Sequence, residues 1–465
     1  MSTSTKDISI PLSSVKVRRH ADRFNREFSS SGGVSNKSSK CDAGKYHVWT
    51  TSDAQRLIGN REVFIWGAGQ KGRGFLLALR RNGFSISNFI DSSSAMQKKS
   101  FAGVGGISPQ EFFDMYGPKR KAAFVFVASV DAKNKQIFKE LEASGFTKGV
   151  DFEDIQTLSP FYPTIEVTGI CNLRCSSCIR SDKEIIDDGK YMSFENYEKV
   201  IKKMISEIPF LYLVDLYVWG EPILNKDLPK MIRLNNELGL ASGLSTNLNN
   251  IKNLEAVLDA GPAQIRVSLS GASPETYEIT HTGGKWKKVE NNLQILSQLI
   301  SERGKKTLVE VYFHIYKHNV HEIGKIKEVC RKLEFNFHPS LGILFHDFAL
   351  QYTQDGAVSE SARPAMERLI IPMPDLVHDV IENGSKNCIL TRVVPVVNWD
   401  LTVMPCCTYS YSSIEKNYLD LPLSELIPMR TQSSVCATCQ SHSLHRWNNQ
   451  GFYSELVNKI VTENS

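Results

Sequence analysis

The sequence predicts an α/β protein built around a partial (β/α)6 TIM-like barrel, with a small parallel α/β domain before it and a small cysteine-rich domain after it. Three observations carry that prediction. Between residues 164 and 343, strand-like apolar runs alternate six times with helical periodicity. A shorter alternation upstream opens on a glycine-rich turn, and eight of the ten cysteines gather at 171–178 and 388–439.

The barrel strands are expected near Thr164–Thr168, Leu211–Val218, Gly243–Ser245, Gln264–Leu269, Leu308–Ile315 and Asn336–Ile343. Helical patterns separate them near Phe194–Ile208, Leu228–Leu238, Ile251–Ala260, Val289–Glu302 and His321–Leu333. Active sites of parallel barrels lie at the C-terminal ends of their strands. Domain bounds of 46–158, 159–345 and 386–465 follow, with 346–385, which has no clear period, read as a linker.

In the first domain the apolar run Val63–Trp66 leads into Gly67-Ala68-Gly69-Gln70-Lys71-Gly72 and a helical pattern through Phe75, Leu76 and Leu79. A second strand, Ser87–Ile90, ends at Asp91, and a third, Ala122–Ala128, precedes a helix over Lys133–Ser144. Glycines between strand and helix allow backbone to approach a pyrophosphate, and an acidic residue after the next strand can meet a ribose. Gly67, Gly69, Gly72 and Asp91 are therefore candidate nucleotide ligands. The domain is about half a complete dinucleotide-binding fold, so dinucleotide binding, docking of a nucleotide-sugar and a purely structural role all stand.

Composition excludes several classes. The net charge is +5, yet residues 1–45 hold nine Lys or Arg against four Asp or Glu, so the remaining chain is neutral and no nucleic-acid face is indicated. That segment, with Ser29–Ser31 and Ser35–Ser39, has the composition of a disordered arm. It lacks the apolar core of a secretory signal, and Asp7, Asp22 and Glu27 are unlike a transit peptide. Without an apolar run of about 18 residues no membrane span is expected, and a soluble cytoplasmic protein is. Ten cysteines in such a chain read as metal or catalytic ligands rather than disulfides.

Cys171, Cys175 and Cys178 place three thiols within eight residues, directly after the first barrel strand. Thiolates are the usual ligands of iron-sulfur clusters, and three of them leave one iron of a 4Fe-4S cluster open. An open position separates a reactive metal site from a closed structural one. Zinc, the competing reading, usually takes paired ligands in two separated groups.

The CxxxCxxC segment after the first strand of a partial barrel resembles the signature of the radical SAM superfamily over residues 160–345. The resemblance implies that the open iron binds S-adenosylmethionine. It also implies that an electron from a donor such as flavodoxin or ferredoxin cleaves the cofactor, and that the 5′-deoxyadenosyl radical removes hydrogen from substrate. Trp219-Gly220-Glu221-Pro222 is similar to the family's GGEP motif for the cofactor's amino group, with Trp219 where the first Gly is usual. Thr246 and Asn247 resemble the pair closing the third strand, and Ser268 and Ser270 the polar end of the fourth, where cofactor contacts are implied.

The later cysteines resemble a shortened SPASM extension, or twitch domain, which implies a second, auxiliary 4Fe-4S cluster on Cys388, Cys406, Cys436 and Cys439, with Cys407 spare. Structural zinc is the alternative, because four cysteines with a CxxC pair are also a zinc pattern. Leu401 stands where that family commonly has Gly. The N-terminal domain is similar to the Rossmann-like domains attached to sugar acyltransferases and methyltransferases. Together these imply an oxidoreductase acting on a small polyol, sugar or nucleotide-sugar, by dehydrogenation or epimerisation. Modification of a peptide or protein side chain and a non-catalytic metal-bound scaffold are the alternatives. His281, His314, Lys317 and His318 lie near predicted strand ends, but acid-base roles do not follow from that, and Cys330 is expected to be a buried thiol.

Overall fold

The computed structural model describes residues 48–465 except 99, 130, 160, 182–189, 305–306, 383–387, 389, 391–394, 410–412, 415 and 447–452. The tail expected to be disordered, residues 1–45, lies outside the described residues, as does Cys41.

The N-terminal sheet contains β1 (Glu62–Trp66), β2 (Asn88–Ile90), β3 (Ser100–Phe101), β4 (Val104–Ile107), β5 (Ala123–Val127) and β6 (Phe152–Asp154), in the order β3-β4-β2-β1-β5-β6. Pairing is parallel except in the β3–β4 hairpin. All five residues of β5 are buried, as a central parallel strand covered on both faces requires. β3, β4 and β6 exceed the three strands predicted. β4 is half glycine and β6 carries two acids, so neither shows an apolar run.

The second sheet holds β7 (Thr164–Ile165), β8 (Leu213–Asp215), β9 (Ala241–Thr246), β10 (Gln264–Leu269), β11 (Leu308–Ile315), β12 (Asn336–Leu341), β13 (Val396–Val397) and β14 (Val403–Met404). Strands β7 to β12 are successive parallel neighbours, which makes the partial barrel. Along β10 and β11 apolar residues alternate with polar ones, and the apolar set, including Ile265, Val267, Val309 and Val311, packs into the main core with the helices. Gln264, Arg266, Ser268, Glu310, Tyr312 and His314 therefore share the opposite face, which is the barrel interior.

β13 runs parallel to β7 and antiparallel to β14, so the cysteine-rich segment extends the barrel sheet. Pro395 and Val397 carbonyls accept from the Thr164 and Glu166 amides at 2.9 and 2.8 Å. Residues 346–385, read from sequence as a linker, contain the helices His346–Asp355, Arg363–Glu367 and Met373–Glu382. Phe348, Ala349, Leu369 and Leu376 from this stretch join the main core. Pro364, Pro372 and Pro374 cut the pattern into pieces too short to show a helical period.

The two sheets meet where helix Gln70–Arg81 lies against the starts of β8 and β9. A side chain at Gly74 would stand 2.6 Å from the Tyr212 carbonyl oxygen, so glycine sets that approach. Arg81 donates to the carbonyls of Pro209, Leu211, Leu238 and Gly239 at 2.6 to 3.0 Å, and burial lowers its guanidinium pKa to about 10. Among the described residues no helix is long and apolar enough to cross a membrane.

Candidate active site

After β7 the chain turns at Gly169 and enters the cysteine loop, which backbone bonds fasten to its surroundings. Arg174 and Ser176 amides donate to Thr282 and Thr280 carbonyls at 2.9 and 3.2 Å, and Cys178 N–H closes a turn on the Cys175 carbonyl at 2.9 Å. Cys171 Sγ accepts from Leu173 N–H at 3.5 Å and from Asn247 Nδ2 at 3.8 Å.

Burial pushes all three thiols above their ordinary pKa, Cys178 to about 12; neighbouring thiols add to this at Cys175 and Cys178, and the Glu221 carboxylate at Cys171. Arg180 opposes the shift at Cys171 and Cys178, and Arg174 opposes it at Cys171. Among the described residues no three His, Cys, Asp or Glu side chains surround a common point as metal ligands do. The donor set nevertheless suits an iron-sulfur cluster with one open iron: three soft thiols on one pinned loop, with two guanidinium groups near.

The segment Trp219–Pro222 packs directly beneath this loop. A Cβ on Gly220 would lie 1.9 Å from the Thr168 carbonyl oxygen and 2.9 Å from that of Ile170, which only glycine avoids. Trp219 fits because its ring leaves the turn and meets Phe345 edge-on at 4.5 Å. Glu166 Oε2 accepts from the Trp219 and Gly220 amides, and Arg180 Nε donates to the Trp219 carbonyl at 2.9 Å.

Glu221 is 2% exposed. Its carboxylate accepts from Asn247 N–H at 2.8 Å and Ile223 N–H at 3.4 Å, and burial raises its pKa to about 7. It thus staples the turn after β8 to the end of β9.

Asn247 also ties the end of β9 to the cysteine loop, donating from Nδ2 to Asn172 Oδ1 at 3.0 Å. Thr246 Oγ1 accepts from Leu248 N–H at 2.9 Å, beneath a backbone whose φ at Leu248 is 55°. Ser268 faces Ser245 at 3.5 Å inside the barrel. Ser270, just past β10, is buried and bonded to Thr280 and to His281 Nδ1, in the segment that holds the cysteine loop, and His281 stacks on Tyr277 at 4.4 Å. Burial takes the His281 pKa down to about 4. His318 Nε2 meets the Thr276 carbonyl at 3.2 Å and Lys317 Nζ the Glu367 carbonyl at 3.3 Å. Cys330 is 1% exposed.

The barrel interior adds polar groups that motif reading missed. Asp215 lies over Gly243, where a Cβ would stand 2.1 Å from Oδ1. Tyr162 and Tyr217 hydroxyls donate to that carboxylate, and burial lifts its pKa to about 6. Across three neighbouring strands, the Arg266 guanidinium covers the Tyr312 ring at 3.7 Å and Tyr312 stacks on His338 at 4.1 Å. Arg266 Nε has no hydrogen-bond partner among the described residues. His314 bonds Ser340 at 3.1 Å, and burial brings its pKa down to about 3. The available signal was strand alternation, which marks these positions as inward-facing without saying what they do.

Cys388, Cys406, Cys436 and Cys439 line one narrow pocket with Tyr409 and His445; Cys407 does not. Helix Ser434–Ser441 presents Cys436 and Cys439 one turn apart, and the Ser433 hydroxyl caps it by accepting from Cys436 N–H at 3.3 Å. Leu401, in the turn between β13 and β14, adopts φ 73°, the left-handed conformation for which glycine is usual.

In the N-terminal sheet Asp91 already has partners. Oδ2 accepts from Ala68 N–H and Oδ1 from Ser93 N–H, each at 2.9 Å. Gly67 has φ 114°, and a Cβ on Gly72 would stand 1.9 Å from the Gly67 carbonyl oxygen, so these two glycines serve the turn itself. A Cβ on Gly69 would meet nothing within 4 Å.

The structure thus sets a three-cysteine loop after the first strand of a parallel partial barrel. Residues 165–329 match the Radical SAM superfamily model, so this chain carries a radical SAM domain over that span. Similar curated proteins include a 7,8-dihydro-6-hydroxymethylpterin dimethyltransferase of Methanocaldococcus jannaschii, 32% identical over 148 residues, 30% of this chain and 27% of the relative. A probable GTP 3′,8-cyclase of Methanococcus maripaludis is 27% identical over 172 residues, 36% of this chain and 54% of the relative. The chain thus spans about half or less of the length of these relatives. Among solved structures, native anSMEcpe with bound AdoMet is 14% identical, covering 66% of this chain and 99% of its own, with a TM-score of 0.41.

Proposed function

We propose that this chain is a radical SAM oxidoreductase that removes a hydrogen atom from a small polyol, sugar or nucleotide-sugar. The observation that carries the reading is the pinned loop of Cys171, Cys175 and Cys178 at the C-terminal end of β7, where three thiols would hold a 4Fe-4S cluster and leave one iron for S-adenosylmethionine. When bound, that cluster and cofactor supply a 5′-deoxyadenosyl radical, and a second cluster on Cys388, Cys406, Cys436 and Cys439 supplies an electron acceptor or an anchor for substrate.

The chain's own residues hold and orient. The turn at Trp219 and Gly220 would offer backbone to the cofactor's amino group, and Glu221 keeps that turn in place through Asn247. Thr246, Asn247 and Ser268 close the neighbouring strand ends. The polar interior, where Arg266 Nε has no hydrogen-bond partner among the described residues, supports a hydroxyl-rich substrate over an apolar one, because each buried polar group needs a partner. For the N-terminal loop we favour a structural role, since both Asp91 oxygens are engaged with backbone. An electron donor such as flavodoxin or ferredoxin would complete the system.

The test incubates reconstituted, reduced protein anaerobically with S-adenosylmethionine and separate pools of nucleotide-sugars, polyols and peptides, measuring 5′-deoxyadenosine and substrate mass. A rise with the sugar or polyol pools is expected. A rise confined to peptides would replace the substrate class, and no cleavage despite an assembled cluster would remove the catalytic reading.

A further inference from the structure

Arg430, in helix Leu423–Thr431, is 0% exposed, which is rare for an arginine. Its Nε donates to the carbonyls of Met404 at 3.0 Å and Pro405 at 3.1 Å, the two residues that precede Cys406. Cys406 follows Pro405 directly and shares its pocket with Cys388, Cys436 and Cys439, so the guanidinium is anchored at the strand end that brings this thiol to the other three. A buried cation is thus fixed behind the wall of the four-cysteine pocket by bonds to the very strand that delivers one of its thiols.

Four thiolates and a 4Fe-4S core carry net negative charge, and one added electron increases it. Taking such charge out of water is unfavourable unless an opposite charge accompanies it. Net charge and hydrogen bonding around the sulfurs set a cluster's reduction potential.

Resting on the auxiliary-cluster reading above, we propose that Arg430 is a positioning residue for that site. Its buried positive charge offsets the thiolates of Cys388, Cys406, Cys436 and Cys439 and raises the reduction potential of the cluster they hold. The bonds to Met404 and Pro405 fix where that charge sits. Nothing in the chemistry requires Arg430 to touch substrate.

The experiment uses the full chain with Cys171, Cys175 and Cys178 all changed to Ala, so that iron, sulfide and electron paramagnetic resonance report on the later cysteines alone. In that background Arg430→Gln should bind less iron and show a cluster potential more negative than its parent. Arg430→Lys, which keeps the charge but loses the planar double contact, should keep a potential close to the parent. If both variants leave the potential unmoved, or if Lys lowers it as far as Gln, the charge role is overturned. Should Arg430→Gln not fold, Arg430→Met takes its place beside Arg430→Lys, support being a fall in the Met variant that the Lys variant does not share and refutation a potential at the parent value in the Met variant. If the triple-Ala parent binds zinc or no iron-sulfur cluster, the auxiliary-cluster reading fails before Arg430 is altered.

Discussion

The thiols of Cys171, Cys175 and Cys178 stand on one eight-residue loop, whereas those of Cys388, Cys406, Cys436 and Cys439 are brought to one pocket from separate segments. The first group owes its proximity to local chain and its setting to the turn at Gly220 pressed beneath it. The second depends on tertiary packing: a strand pair leads into Cys406, a capped helix carries Cys436 and Cys439, and a buried arginine holds the strand end from behind. A local group can be read from spacing; an assembled one stands or falls with the fold around it.

The largest expected effect separates the two groups directly. Cys175→Ala should bring 5′-deoxyadenosine formation to background and remove about half of the reconstituted iron, since each full cluster holds about four atoms. Cys436→Ala should remove the other half and lower substrate turnover. Iron analysis and product chromatography check both, and equal loss of all iron in each variant would break the distinction.

Next in size, Gly220→Ala should cost about 3 kcal/mol through overpacking, because its Cβ has no space beside Thr168. Gly69→Ala, where a Cβ meets nothing within 4 Å, should stay within about 0.5 kcal/mol. Urea midpoints measure both. Similar costs would show that the turn under the first cysteine group is no tighter than the N-terminal glycine loop.

Asp215 sharpens the contrast by reporting on the barrel alone. Its folded pKa, raised to about 6 from 3.8, means that the native state holds the proton longer than the unfolded state. Its contribution to stability therefore falls as pH rises through that window and levels off above about 6. Asp215→Asn should flatten this slope, with a difference between the two proteins of about 2 to 3 kcal/mol across the window. A parallel pH profile for both proteins would show that the carboxylate is solvated.

The smallest effect belongs to the turn that leads into the second group. Leu401→Gly relieves about 1–2 kcal/mol of left-handed strain and gives up about 1.5–3 kcal/mol of apolar burial. Leu401 is 9% exposed, so burial wins narrowly and a net loss within about 1 kcal/mol is expected in thermal unfolding. A clear gain would mean that the strain outweighs the packing.

The barrel was legible because β10 and β11 alternate strictly, and their predicted bounds, Gln264–Leu269 and Leu308–Ile315, are those observed. Strand β7 has two residues where five were predicted, because beyond it the chain keeps only separate bonds, Glu166 N–H to the Val397 carbonyl and Met192 N–H to the Val167 carbonyl, and meets β8 at Thr164 alone. Ser270 looked like a strand-end ligand in sequence, yet its hydroxyl is taken by Thr280 and His281, contacts that only the folded helix Pro274–Thr280 creates. Arg430 carried no signal at all. A lone arginine in a weakly periodic helix looks solvated until the carbonyls of Met404 and Pro405 close on it.

The pairing of β13 with β7 has a consequence for how the protein is made. During synthesis the edge of β7 has no partner on its outer side until residues 395–397 have left the ribosome, long after the rest of the barrel is available. An exposed strand edge invites pairing with other chains. The nascent chain must therefore keep that edge covered or remain incompletely closed until the cysteine-rich segment arrives, and a chain cut short before residue 395 should aggregate even with every barrel strand intact.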